Sequence, residues 1–267
     1  MQVSGKTFVV TGGGSGMGRE LALLLLEKGG TVAAVDIKSA GLDETKVKAG
    51  VNAARLTSHI ADISNKTAVY ALKDEVLARH GHVDGVFNNA GIIQPFKKVA
   101  QLDDATIERV MNVNFYGTVH LTRAFLPHLL ERPEAHIVNT SSMGGFLPVP
   151  GQAIYGASKA AVKLFTEALY AELLETRVRV TAVFPGAIAT HITENSGVTV
   201  PKAPEGTSTM TAMPASEAAK AIVKGMEDDE FHVLVGSDSY LMDKLSRLMP
   251  EKAVKIIQKR MKSLLPD

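Results

Sequence analysis

Seven short apolar runs, each rich in β-branched residues, constrain this chain more than any other feature. They are TFVVTG (7–12), TVAAVD (31–36), ARLTSHIADI (54–63), VDGVFNNAG (83–91), HIVNTSS (136–142), VRVTAVFPG (178–186) and HVLVGS (232–237). Helical spacing fills the intervals. Leu21, Leu24 and Leu25 recur at that spacing over about 16–29, and Gly29-Gly30 stops the helix. A second helix is predicted over about 103–131, beginning after Asp103 or Asp104. A third, over 153–176, carries Ala157, Ala161, Leu164, Phe165 and Ala168 on one stripe. Strands alternating with helices build a parallel sheet covered on both faces. The predicted fold is therefore α/β, a doubly wound sheet of about seven parallel strands, in a single domain over 1–267.

Composition narrows the function. The chain is 45% hydrophobic and 21% charged, ordinary for a globular domain. A formal net charge of +1 gives no reason to expect nucleic acid, and the lack of cysteine removes disulfides and thiolate metal sites. Eight scattered histidines form no metal-ligand motif, so no metal is expected. MQVSGKTFVV lacks a signal-peptide layout, and the longest apolar run, LALLLL (21–26), is too short to span a bilayer. A cytoplasmic protein is expected. Two segments break the strand–helix rhythm. Residues 187–214, rich in Thr, Ser, Gly and Pro, read as a long loop and a substrate lid. Residues 239–267 read as a C-terminal helical extension.

TGGGSGMG (11–18) follows the first strand and opens a helix, matching T-G-x-x-x-G-x-G. Glycines let the backbone approach a pyrophosphate, and a helix N-terminus offers free N–H groups and positive potential. A flexible turn alone would also use glycine. Asp36 ends the second strand, where a dinucleotide-binding chain places an acid for the ribose 2′-hydroxyl. A carboxylate there repels a 2′-phosphate. Ile37 is not basic and Ser15 replaces any loop Arg or Lys, so NAD is expected over NADP. Lys38 is the residue that opposes this preference.

YGASK (155–159) puts Tyr155 and Lys159 one helical turn apart, hence side by side. A nearby ammonium favours a phenolate. Bringing a tyrosine from its ordinary pKa to near neutrality needs ~4 kcal/mol of favourable field, more than one exposed lysine supplies. A simple helix-surface pair has the same spacing.

Four further stretches, NNAG (88–91), NVN (112–114), TSS (140–142) and FPGAIAT (184–190), join these two. In order and spacing the six motifs resemble the short-chain dehydrogenase/reductase family, over about residues 4–237. The resemblance implies a Rossmann-type fold and a Ser-Tyr-Lys-Asn site. Tyr155 would be the general acid/base, and Lys159 would lower its pKa and hold the nicotinamide ribose. Ser142, 13 residues before Tyr155, would hydrogen-bond the reacting oxygen, with Ser141 the lesser candidate. Asn114 would anchor a water leading from Lys159 to solvent. Cofactor contacts would come from Gly12, Gly14, Ser15, Gly16, Met17 and Gly18, then from Asp36, Ile37, Asp62 and Ile63. Asn89, Ala90 and Gly91 would line the adenosine ribose, and Pro185, Gly186, Ile188 and Thr190 the carboxamide. Asp62 would equally suit the N-cap of the next helix, where Ser64 competes. The implied activity is NAD-dependent interconversion of a secondary alcohol and a ketone. The alternative is a dinucleotide-binding sensor or scaffold without turnover.

Residues expected near the site are apolar: Ile92, Ile93, Phe96, Met143, Phe146, Leu147, Pro148, Val149 and Ile192, with Met210 and Met213. A lipid- or steroid-like substrate is the expectation, although such side chains would also suit a lid or a subunit contact. The resemblance further implies a homo-oligomer, a tetramer. In the tail, Pro250 separates two predicted helices. Val254, Ile257, Met261 and Leu264 make an apolar stripe beside Lys252, Lys255, Lys259, Arg260 and Lys262. That pattern suits a helix packed on protein better than one resting on anionic lipid, and the expectation is that it covers the substrate cleft or a subunit interface.

Overall fold

The computed structural model describes residues 1–199 and 212–261, apart from the side chain of Arg260. Met210, Lys262 and Leu264 lie outside the described residues. Chain order begins with β1 (Thr7–Thr11), α1 (Gly16–Glu27), β2 (Thr31–Asp36), α2 (Ser39–Ala49), β3 (Leu56–Ile60), α3 (Lys66–His80) and β4 (Gly85–Asn88). Then come α4 (Asp104–Met111), α5 (Gly117–Leu130), β5 (Ala135–Thr140), α6 (Ala153–Leu173) and β6 (Val178–Pro185). The remainder is β7 (Ile188–Ala189), α7 (Ile192–Ser196), β8 (Met213–Pro214), α8 (Ala215–Glu227), β9 (His232–Val235), α9 (Ser237–Leu248) and α10 (Pro250–Met261).

Seven strands form one parallel sheet in the order β3-β2-β1-β4-β5-β6-β9. Every residue of β1, β4 and β5 is buried, which is why their apolar residues do not alternate with exposed polar ones, and the polar residues they do carry, such as Asn88, His136 and Asn139, are buried too. One core, holding Phe8, Leu25, Leu42 and Ile222, packs α1, α2 and α8 on one face. The other, holding Val69, Leu121, Phe125 and Leu169, packs α3, α5 and α6 on the opposite face. The strand order reverses between β1 and β4, and the crevice there is where such sheets bind ligands.

Three departures from the expected elements bear on the site. The run 83–91 gives a strand only over Gly85–Asn88; beyond it Asn89 and Ala90 pack on the glycine turn and Gly91 on Lys159 and Asn114. The helix expected over 103–131 is interrupted by a π-turn, Asn112–Tyr116, which carries Asn114. The expected loop 187–214 contains α7 and a short parallel ladder pairing Ile188 with Met213, while residues 200–211 lie outside the described part.

Candidate active site

The chain leaves β1 at Thr11 and turns into α1 through conformations that exclude most side chains. Gly12 and Gly16 have φ of +72° and +50°. A Cβ on Gly18 would stand 2.1 Å from the Gly12 carbonyl oxygen. The Gly14 amide donates to Asp36 Oδ2 at 3.0 Å, and Asp36 Oδ1 accepts from the Lys38 amide at 3.0 Å. Both carboxylate oxygens are thus held in place at the end of β2. On the far bank, the Thr11 hydroxyl accepts from the Asn89 and Ala90 amides, each at 3.0 Å. Thr190 faces Gly16, where an added Cβ would meet Thr190 Cβ at 3.3 Å. Among the described residues no side chain caps α1, and its first turn holds no acid, so its N–H groups and positive end suit an anion. A cradle that any Cβ would fill, an uncapped helix start and a fixed carboxylate fit a dinucleotide.

Ser142 and Tyr155 meet across the crevice. Both line a cavity of about 190 Å³ whose other walls are Ile93, Phe96, Met143, Gly144, Val149, Gln152, Pro185, Gly186 and Ala187. Ser141 does not reach it, for its buried hydroxyl donates to the Lys159 carbonyl at 2.7 Å. Lys159 is buried on α6, and its Nζ donates to the Thr140 carbonyl at 2.8 Å. Gly91 closes over it: a Cβ there would lie 3.1 Å from Lys159 Nζ and 3.2 Å from Asn114 Oδ1. Asn114 is fully buried in the π-turn, accepting from the Ile92 amide at 2.8 Å and donating to the Ile92 carbonyl and the Ser158 hydroxyl, both at 2.9 Å. Two backbone groups of the β4 exit are thereby pinned beside α6.

A family profile described as short chain dehydrogenase matches residues 6–200. The chain belongs to the short chain dehydrogenase family. SadH of Mycobacterium tuberculosis, whose name assigns it only to the oxidoreductases, is 40% identical over 257 residues, covering 92% of this chain and 91% of SadH. The 1-deoxy-11-beta-hydroxypentalenate dehydrogenase of Streptomyces avermitilis is 35% identical over 244 residues, covering 90% and 87%. Among solved structures, a short chain dehydrogenase/reductase from Burkholderia phymatum in complex with NAD matches with a TM-score of 0.82 at 27% identity, covering 93% of this chain and 96% of its own. A short chain dehydrogenase from Burkholderia cenocepacia in complex with NADP gives 0.80 at 27% identity, covering 96% and 99%.

In this short chain dehydrogenase the outlying cofactor candidates are dispersed. Asp62 is exposed, with Oδ1 accepting from the Ser64 amide at 2.9 Å and its hydroxyl at 2.7 Å. Neither caps α3; Asn65 does, accepting from the Ala68 amide at 3.1 Å. Ile63 is buried and packs where a Cβ on Gly117 would strike it at 2.8 Å. Ile37 is exposed, Met17 packs on the core, and Ile188 pairs with Met213. Ser15 accepts from Asn195 Nδ2 at 2.9 Å, and Lys38 Nζ donates to Asn195 Oδ1 at 3.1 Å, so α7 lies across the glycine turn.

The electrostatics of the pair differ from expectation. The protein alone raises the Tyr155 pKa instead of lowering it: burial of the phenol dominates, and the hydrogen bond with Ser142 pulls the other way. Lys159 directs its ammonium to the Thr140 carbonyl and is itself pulled down to about 8 by burial. Helical spacing alone showed the adjacency of the two residues, not this desolvation.

Several positioning groups carried no local sequence signal. Gln94 is fully buried; its Oε1 accepts from the Ile154 and Tyr155 amides at 2.8 and 3.1 Å, capping the start of α6. Asp238, in the first turn of α9, accepts from the Ala187 amide at 2.8 Å and fills the space beside Gly186. Of the apolar residues expected near the site, Met143 lines the cavity and also packs, with Phe146 and Leu147, against Met242, Ala253 and Ile257 of α9 and α10. The α10 stripe is therefore Ala253, Ile257 and Met261. Val254, expected on it, is 42% exposed, because the helix presents the neighbouring phase of its 3.6-residue repeat to the protein. Among the described residues, no helix is long and apolar enough to cross a membrane.

Proposed function

We propose that the chain is an NAD-dependent oxidoreductase that interconverts an apolar secondary alcohol and its ketone. The observation that carries this is the meeting of Ser142 and Tyr155 in one apolar cavity, with Lys159 and Asn114 packed under Gly91 beside the glycine turn. When bound, a nicotinamide dinucleotide supplies or takes the hydride. Gly12, Gly14, Gly16 and Gly18 with the start of α1 hold its phosphates, and Asp36 holds the ribose hydroxyl. In the reducing direction Tyr155, kept neutral by burial, gives its phenolic proton to the substrate oxygen as negative charge develops there. The Ser142 hydroxyl donates to the same oxygen and stabilises that charge. The phenol would regain its proton through Lys159 and a water anchored at Asn114, both residues buried beside it.

Asp36 favours NAD, since a 2′-phosphate would meet a carboxylate fixed by two backbone amides. Lys38 is engaged with Asn195, which weakens its claim on a phosphate. The cavity walls favour an apolar substrate, and about 190 Å³ encloses a ring-sized portion of it, below the ~300 Å³ or more of a typical ligand pocket. The Streptomyces avermitilis relative, named for a hydroxylated substrate, is consistent with this class. Exposed Leu164 on α6, Leu174 just past its end and Tyr116 on the π-turn are apolar area that a subunit contact of the expected homotetramer would cover. Light scattering that gave a monomer at micromolar concentration would contradict that assembly. The activity is tested by following the reduced-nicotinamide absorbance with a panel of apolar secondary alcohols and ketones. Turnover with kcat/KM higher for NAD than NADP is expected; dinucleotide binding without turnover on any of them would point to a sensor.

A further inference from the structure

We infer that Asp238 positions the nicotinamide end of the dinucleotide, acting through the backbone of Gly186 and Ala187, so that the C-terminal extension serves the cofactor site as well as the cavity. This rests on the dehydrogenase reading above. A dinucleotide whose phosphates lie on the glycine turn must carry its reactive ring to Tyr155 and Ser142. The chain from Pro185 to Thr190 covers the same span. Pro185, Gly186 and Ala187 line the cavity together with Tyr155 and Ser142, and Thr190 faces Gly16. The ring that reaches Tyr155 therefore has Gly186 and Ala187 as a wall.

Three hydrogen bonds set the orientation of that wall. The Gly186 amide donates to the Val235 carbonyl at 2.9 Å, and the Ala187 carbonyl accepts from the Met213 amide at 2.9 Å. The Ala187 amide donates to Asp238 Oδ2 at 2.8 Å. The first two join backbone to backbone and survive most substitutions; the third depends on one side chain. A Cβ on Gly186 would stand 2.2 Å from Asp238 Oδ1, and one on Gly236, which has φ of +99°, would stand 2.5 Å from it. Both glycines thus make room for this carboxylate. Asp238 sits in the first turn of α9, and the next residue, Ser239, donates from a buried hydroxyl to the Phe184 carbonyl at 2.8 Å. Further along α9, Met242 packs with Leu147 and Met143 beside Ser142. Among the described residues Asp238 is not one of those lining the cavity, so it is a positioning residue. Without its carboxylate the Ala187 amide loses its partner and the wall loses its set orientation.

The test separates the two ends of the cofactor. NADH affinity is read by fluorescence titration, and the affinity of ADP-ribose, which lacks the nicotinamide, by displacement of NADH. The proteins are wild type, Asp238→Asn, Asp238→Ala and the isosteric Asp238→Leu. The quantity compared is the NADH-to-ADP-ribose affinity ratio within each protein, which cancels any loss common to both ligands. Wild type should prefer NADH by ~10-fold or more. The ratio should fall to about one in folded Ala and Leu variants and stay near wild type in Asp238→Asn, which keeps an acceptor for Ala187. A merely structural role would weaken both ligands together and leave the ratio alone. In wild type, deuterium exchange at the Ala187 amide should slow more with NADH than with ADP-ribose, a readout that stands even if neither apolar variant folds. A wild-type ratio at or below one, an unchanged ratio in a folded Ala or Leu variant, or a loss in Asp238→Asn equal to theirs overturns the inference and leaves the dehydrogenase reading intact. Equal slowing of Ala187 exchange by both ligands does the same. Wild type that binds no NADH at all overturns the dehydrogenase reading along with it.

Discussion

The two banks of the cleft hold their shape by different means. On the bank that faces the dinucleotide, position comes from backbone and short polar contacts: Gly14 on Asp36, Thr11 on Asn89 and Ala90, Gly91 over Lys159 and Asn114. On the substrate bank it comes from packed apolar side chains, Met143, Phe146 and Leu147 against Met242, Ala253 and Ile257. Backbone-defined sites admit few substitutions, because an added atom meets other backbone. Apolar packing accepts exchange of similar volumes. A family can therefore keep one cofactor cradle and vary its substrates.

The sharpest break of this contrast is Gly18→Ala. The new Cβ would lie 2.1 Å from the Gly12 carbonyl, so the turn must open. We expect NADH affinity, followed by fluorescence titration on protein with native circular dichroism, to fall by ~100-fold or more, a loss of about 3 kcal/mol. Near-normal affinity would mean that the turn does not define the cradle.

Lys159→Met sharpens the polar side through pH. Burial lowers the Lys159 pKa from its ordinary 10.5 to about 8. Between those values the unfolded chain binds a proton that the folded chain has lost, so this group makes stability rise with pH. Below about pH 8 the folded wild type carries the buried charge and its cost; the variant carries neither. Urea unfolding of both proteins at pH 7.5 and 10 should therefore show the wild type gaining on the variant by up to ~3 kcal/mol as pH rises. Parallel pH profiles would contradict the burial of this charge.

The smallest effect is expected on the packed bank. Ile257→Ala removes a side chain that is 6% exposed from beneath the Met143–Gly145 turn. Substrate KM should rise several-fold while NADH affinity stays within about two-fold, as for sites that share no partners. An equal loss of both would show that the two banks are coupled.

The same division governs what was legible in the sequence. Strands buried on both faces carry mostly apolar residues without alternation, so Phe8 to Val10 and Val32 to Val35 announce the sheet. The T-G-x-x-x-G-x-G and Y-x-x-x-K patterns are legible because each is confined to a single turn or helix. Gln94 is not: it acts on Tyr155 from 61 residues away, and a lone glutamine has no pattern. Asp238 likewise supports Ala187 from 51 residues away. Ala253 and Val254 are adjacent, and either phase gives an amphipathic helix, so the buried stripe was decided only by what α10 packs against. The raised Tyr155 pKa follows from burial, which spacing does not encode.

The central claim, that Tyr155 moves the proton while the glycine cradle holds the cofactor, is tested most directly by Tyr155→Phe. The substitution removes the phenolic oxygen and keeps the ring that lines the cavity. NADH affinity should stay within a few-fold of wild type, while kcat on the best alcohol of the panel falls by at least ~100-fold. Retention of more than about a tenth of the wild-type rate, below the loss expected for a general acid/base, would contradict it.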